Sequence, residues 1–278
     1  MYGALFGDYV GSIYEHHNIK TKDFPLLHPD AGITDDSYMT IAVASACLGY
    51  ARHGDLDRFT EEVAQEMIRI GRNHPHPIGG YGKMFRQWLY SGEPRPYGSY
   101  GNGSAMRVSP CAWVAQGLNE AEKLGAASAM PTHDHPEGIK GAQAVAGAIW
   151  LARVGTPKVE ITRYVESRFY RLNKSLAEYR SEHHFSASCQ GTVPPAIRAF
   201  LESNGFEDAI RNAVSLGGDS DTLAAITGSI AEAYYGMPEN LRQEVERQVR
   251  FHCDKSEETI VTEFAARFCG PRRKETRK

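Results

Sequence analysis

No uninterrupted apolar run in this sequence approaches the ~20 residues that a helix needs to span a bilayer, so a membrane-embedded chain is not expected. The opening stretch MYGALFGDYVG has no basic region, and Asp8 interrupts its apolar character, which argues against a secretory signal. Cysteine is sparse and scattered: Cys47, Cys111, Cys189, Cys253 and Cys269 form no CxxC pair. That odd, dispersed set suits neither a disulfide framework nor a cysteine-based zinc cage; it fits small buried side chains in a reducing cytoplasm. Charge of one sign is missing too. Lys and Arg total 31 against 34 Asp and Glu, a formal net charge of −3, so a general polyanion binder is not indicated. The only concentrated basic run, PRRKETRK at the C-terminus, is expected to be a solvated end and not a nucleic-acid contact. A nucleotide-like ligand would therefore have to be held by local donors and metal ions.

What is present is helical patterning. At 41% hydrophobic over 278 residues the chain can bury one substantial core. No linker, repeat or low-complexity segment divides it, so one domain is expected. Phe59, Val63, Met67 and Ile70 mark a helix face, as do Leu223, Ile226, Ile230 and Tyr234. Leu241, Val245 and Val249 mark another, then Ile260, Phe264 and Phe268. Ile197, Phe200 and Leu201 read as a helix introduced by Pro194 and Pro195 and stopped at Asn204-Gly205. Residues 37–48 are apolar almost all round, as a central buried helix should be. Alternating strand-like segments are scarce, and the fold class is all-α. Near the N-terminus Gly3, Gly7 and Gly11 form a stripe along which another backbone could approach. If that helix continued, Asp8 and Glu15 would share a face.

The chemistry concentrates in two acidic clusters. Thr34-Asp35-Asp36-Ser37 precedes the buried helix, and Gly217-Gly218-Asp219-Ser220-Asp221-Thr222 precedes the Leu223–Tyr234 helix. Capping explains one or two such acceptors. It does not explain four aspartates and two threonines carried inward by apolar helices, where uncompensated carboxylates cost several kcal/mol each. Divalent cations such as Mg²⁺ or Mn²⁺, which take oxygen ligands, resolve that conflict if folding brings the clusters together.

Two further loops complete the pattern. Ser99-Tyr100-Gly101-Asn102-Gly103-Ser104-Ala105-Met106-Arg107 offers glycine N–H groups ahead of a short helical stretch, a combination suited to phosphate or ribose although it is not a Walker A loop. Arg107 is a candidate partner for a diphosphate or for a structural ion pair, and Tyr100 for ligand stacking or for covering the loop. In Thr132-His133-Asp134-His135-Pro136-Glu137-Gly138, His133 and His135 lack the further ligands of a zinc site. Asp134 or Thr132 is expected to cap the next helix, with Pro136 in its first turn, and His133 to hydrogen-bond a substrate.

In this order the segments, together with Gly7-Asp8, Gly11 and Glu15, resemble the ADP-ribosylglycohydrolase family from residue 7 to residue 222. The resemblance implies one family domain over residues 1–270, followed by a basic tail at 271–278, and an orthogonal multi-helix bundle with a binuclear Mg²⁺ or Mn²⁺ centre in a central cleft. It implies that Thr34, Asp35, Asp36, Asp219, Asp221 and Thr222 hold the metals. Glu15 corresponds to a glutamate beside them, on a segment that moves with the substrate in some relatives. Ser99, Tyr100, Gly101, Asn102, Gly103 and His133 correspond to the ligand-binding positions. Where Asp-Thr-Asp is common, this chain has Asp219-Ser220-Asp221-Thr222, which keeps a hydroxyl between the acids. The implied activity is release of ADP-ribose from an ADP-ribosylated protein or other ADP-ribosyl conjugate, with Asp36 or Glu15 as the proton-handling carboxylate. Nucleic acid enters only as a possible modified acceptor. Arg72 to Gly82 and Tyr97 are candidates for the acceptor side. The rival readings are a metal-dependent nucleotide phosphohydrolase and a non-catalytic ADP-ribose-binding or structural protein.

Overall fold

The computed structural model describes residues 1–269; the basic tail at 271–278 lies outside the described residues. Fifteen helices follow one another, and no strand occurs among the described residues. They are α1 (Tyr2–Gly11), α2 (Asp35–His53), α3 (Leu56–Asn73), α4 (Lys83–Leu89), α5 (Gly103–Met106), α6 (Ser109–Val114), α7 (Leu118–Ala129) and α8 (Pro136–Arg153). Next come α9 (Lys158–Arg168), α10 (Leu176–Glu182), α11 (Cys189–Leu201), α12 (Phe206–Val214), α13 (Ser220–Tyr235), α14 (Glu239–His252) and α15 (Lys255–Phe268). The all-α expectation is met. No helix is long and apolar enough to cross a membrane among the described residues.

The expected faces are the buried ones. Phe59, Val63, Met67 and Ile70 of α3 are fully enclosed, and α2 is buried on nearly every side from Asp36 to Gly49. Cys47, Cys111 and Cys189 are buried free thiols that act as small hydrophobes. α13 runs through the middle of the bundle, packed against α1, α8, α11 and α12.

Helix ends differ from expectation at three places. α11 starts at Cys189, so Pro194 and Pro195 lie inside it. Ser188 takes over the N-cap role by accepting from the Gly191 N–H at 3.2 Å. α1 stops at Gly11 and the chain turns, so Asp8 and Glu15 do not share a helical face. α8 is capped by His135, whose Nδ1 accepts from Glu137 N at 3.1 Å; Asp134 instead accepts from Gly98 N at 2.7 Å.

The glycine stripe of α1 is what allows two backbones to touch. A Cβ placed on Gly3 would stand 2.1 Å from the Gly228 carbonyl oxygen, one on Gly7 2.0 Å from that of Ala224, and one on Gly11 2.4 Å from Asp221 Cα. This contact sets the end of α1 against the start of α13, where the second acidic cluster lies. Gly7→Val should therefore force the helices apart and cost about 2–3 kcal/mol, as overpacking of a tight interior does. Urea denaturation at fixed pH measures that loss, and an unchanged midpoint would refute the close-packed reading.

Candidate metal centre and substrate cleft

The site begins with Asp8, which is fully buried beneath the start of α2. Its carboxylate accepts from Thr34 N at 2.9 Å, Thr34 Oγ1 at 2.7 Å, Ser37 N at 3.1 Å and the Ser37 hydroxyl. Thr34 in turn caps α2 by accepting from Asp36 N at 3.2 Å. Asp8 thus satisfies otherwise orphaned N–H groups at the helix start and pins the segment bearing Asp35 and Asp36. Burial raises its pKa to about 6, and the four hydrogen bonds oppose that shift.

The second cluster meets the first directly. Thr222 Oγ1 donates to Asp36 Oδ2 at 2.9 Å, across a sequence separation of 186 residues. Gly217 (φ +66°) and Gly218 (φ +79°) supply the left-handed turn that swings Asp219 to the head of α13. Asn18 clasps this turn: its side chain accepts from Gly218 N and donates to Gly218 O at 3.2 Å and to Glu15 O at 2.7 Å. Carboxylate oxygens of Glu15, Asp219 and Asp221 consequently lie within 4.8 Å of one another.

Electrostatics show how costly this convergence is. Burial, then the charges of Asp8 and Asp219, push the Asp35 carboxyl well above its usual range. Burial and the neighbouring Asp8, Asp35 and Asp219 do the same to Asp36, against the Thr222 hydrogen bond. Asp221 is raised by burial, Asp219 and Asp36, and Glu15 by burial and Asp219, with His16 opposing at 3.6 Å. No Lys or Arg among the described residues pairs with Asp35, Asp36 or Asp221. Such an array of hard oxygen donors without a cationic partner could hold divalent metal ions.

These acids form one wall of a cleft of about 460 Å³, a size suited to a nucleotide-like ligand. Ser99, Gly101, Asn102, Gly103, Arg107 and His133 line the same cleft. Asn102 joins the walls by donating from Nδ2 to Asp219 Oδ2 at 2.7 Å. The loop is less open than its glycines suggest. The Gly101 N–H donates to Ser99 Oγ at 3.1 Å and the Asn102 N–H to Ala187 O at 2.8 Å, and α5 is a single turn. Tyr100 does not line the cleft; its ring is 53% exposed and packs edge-on against His135. Arg107 forms no ion pair among the described residues.

Gly79 to Phe85, Tyr97 and the exposed Phe185 also line the cleft; of these, Gly79 to Gly82 and Tyr97 fall in the region expected to face an acceptor, and Lys83 to Phe85 lie just beyond it. Sequence reasoning did not assign roles to Asp8, Asn18, Lys83, Met106 or Phe185. Of these, Asp8 and Met106 carried a signal, Asp8 by its place in the glycine-flanked N-terminal match and Met106 by its place in the Ser99–Arg107 segment.

Fold and cleft together define an all-α protein with a carboxylate cluster facing a glycine-rich loop. The chain belongs to the ADP-ribosylglycohydrolase family, whose sequence model matches residues 1–274, and it is an enzyme of the ADP-ribosyl glycohydrolase class. It is 27% identical to ADP-ribosylhydrolase ARH3 of Mus musculus over 93% of this chain and 87% of that protein. It is 26% identical to the ADP-ribosyl-[dinitrogen reductase] glycohydrolase of Rhodospirillum rubrum over 80% and 78%, respectively. The solved structure of an ADP-ribosylglycohydrolase-related protein complex superposes with a TM-score of 0.65 at 22% identity, covering 93% of this chain and 95% of that one, and supports the fold.

The raised carboxyls have a testable consequence. A folded-state pKa above the unfolded value contributes stability below the unfolded pKa and loses it as pH rises through the folded one. Asp8 at about 6, with Asp35, Asp36 and Asp221 also raised, should make this cluster increasingly unfavourable in chelated protein from about pH 4 upward. Added Mg²⁺ or Mn²⁺ should then raise Tm more at about pH 8 than at about pH 5. Thermal melts in EDTA and in each cation test this, and a cation-independent Tm at the higher pH would contradict it.

Proposed function

We infer that this enzyme releases intact ADP-ribose from an ADP-ribosylated acceptor, using two divalent cations, Mg²⁺ or Mn²⁺, held by the two acidic clusters. The observation that carries the reading is the Thr222–Asp36 hydrogen bond, which joins the clusters at one end of one cleft. Residues 1–270 act as a single ADP-ribosylglycohydrolase domain in the cytoplasm.

Asp35, Asp36, Asp219 and Asp221 supply carboxylate ligands, with the Thr34 and Thr222 hydroxyls beside them. Thr34 Oγ1 keeps a lone pair after donating to Asp8 and accepting from Asp36 N, and Thr222 Oγ1 keeps two after donating to Asp36. Bound there, divalent cations supply Lewis-acid activation of water and a template for the ribose hydroxyls. Glu15 or Asp36, ionised beside the bound cations, takes the proton of the attacking water. Ser99, Gly101, Asn102, Gly103 and His133 hold the ADP-ribosyl group so that its anomeric carbon faces the acids. Tyr100 contributes through its backbone: its carbonyl accepts from Cys189 N at 2.9 Å and anchors the loop. Cleavage passes through an oxocarbenium-like state, as glycosidic hydrolysis generally does. The acceptor, whether a protein side chain, a nucleic-acid base or a small ester, leaves past the wall formed by Gly79 to Phe85 and Tyr97.

Asp36→Ala, and the double variant Asp219→Ala with Asp221→Ala, should abolish divalent binding and lower turnover by about 10²–10⁴-fold with helical content unchanged. A panel of defined ADP-ribosyl conjugates, assayed with Mg²⁺, Mn²⁺ or EDTA, measures the effect. Intact ADP-ribose is the expected product. AMP with ribose phosphate would identify a phosphohydrolase, ligand binding without turnover would identify a reader, and full activity in EDTA would refute the metal scheme.

A further inference from the structure

Arg107 is among the largest fully buried side chains of the protein, 1% exposed, and follows α5 at the border of the cleft. A guanidinium can only donate hydrogen bonds. Its Nη2 donates to the Ser128 carbonyl at 3.1 Å and to Thr132 Oγ1 at 2.8 Å, while its Nε has no partner. Thr132 Oγ1, fully buried, must therefore accept from Arg107, and its own single hydrogen needs another acceptor. The remaining partner of that oxygen is His133 Nδ1, 2.7 Å away. With Nδ1 accepting, the ring proton resides on Nε2. The opposite tautomer would place two donors on one hydroxyl and leave its hydrogen buried without an acceptor.

The Nε2 edge looks into the cleft wall. A Cβ placed on Gly103 would stand 3.0 Å from His133 Nε2, and one on Gly101 3.4 Å from it, so the two glycines keep this edge uncovered. We propose that Arg107 and Thr132 are positioning residues that lock His133 as the neutral Nε2–H tautomer, a standing hydrogen-bond donor to an oxygen of the bound ADP-ribosyl group.

The groups around the ring agree with a neutral donor. Burial, and then the Arg107 charge, hold the His133 pKa well below its ordinary value. The Tyr97 ring lies 6.2 Å away, and Asp134, next in the chain, is turned to Gly98 N. His133 thereby serves recognition, which leaves proton transfer to the carboxylates. The identity of the ligand rests on the proposed function; the tautomer does not.

Long-range ¹H–¹⁵N correlation of the full chain with labelled histidine and Mg²⁺ reads the tautomer directly. The expected spectrum has His133 protonated at Nε2 and bare at Nδ1; a proton on Nδ1, or on both nitrogens, overturns the proposal. Thr132→Val should yield mixed tautomers and weaken ADP-ribose binding about tenfold by calorimetry, with KM affected more than kcat, and Thr132→Ser should restore both. A Val variant with wild-type tautomer and affinity would also overturn it. If ADP-ribose bound none of these proteins, the functional reading would fall, while the spectrum would still decide the relay.

Discussion

A hydrogen bond from Thr222 to Asp36 joins two helix starts that both bristle with aspartates, and the architecture is arranged around the difficulty of holding them there. Two partial remedies are built in. Each cluster sits at a helix N-terminus, where the macrodipole favours negative charge, and the hydroxyls of Thr34, Ser37 and Thr222 donate into the acids. Neither balances the charge: Asp35, Asp36 and Asp221 are all pushed towards their protonated forms. The proposed cations would relieve that repulsion.

The supporting contacts are long in sequence and short in space. The bare glycine face of α1 brings its backbone onto α13, so Gly11 at the end of α1 meets Asp221. Asp8, one residue after Gly7, reaches out from the same helix and secures the head of α2. One short helix thus positions both acidic segments. Asn18 closes the arrangement by tying the Glu15 segment to the Gly218 turn.

Much of this was legible in the sequence because helical faces repeat. Periodic positions such as Phe59, Val63, Met67 and Ile70 report burial directly, and both acidic clusters announced themselves by packing more acceptors than capping needs. Helix ends were harder. Pro194 and Pro195 read locally as a start, yet Ser188 caps the helix earlier and packing carries the prolines within it. His135 displaced Asp134 as a cap because a distant N–H, that of Gly98, claimed the aspartate. The roles of Asp8 and Asn18 were illegible for the same reason, since their partners lie 26 and 200 residues away. The glycine loop showed its residue types but not its hydrogen bonds: the N–H groups at 101 and 102 already have partners within the protein, Ser99 Oγ and Ala187 O.

On the proposed reading, the two acidic clusters hold divalent ions between them. Anomalous diffraction from crystals grown with Mn²⁺ tests it most directly. Manganese density should lie with Asp35 and Asp36 on one side and Asp219 and Asp221 on the other. Manganese bound elsewhere, or a cleft that stays free of it at saturating concentration, would rule out a metal centre between the clusters.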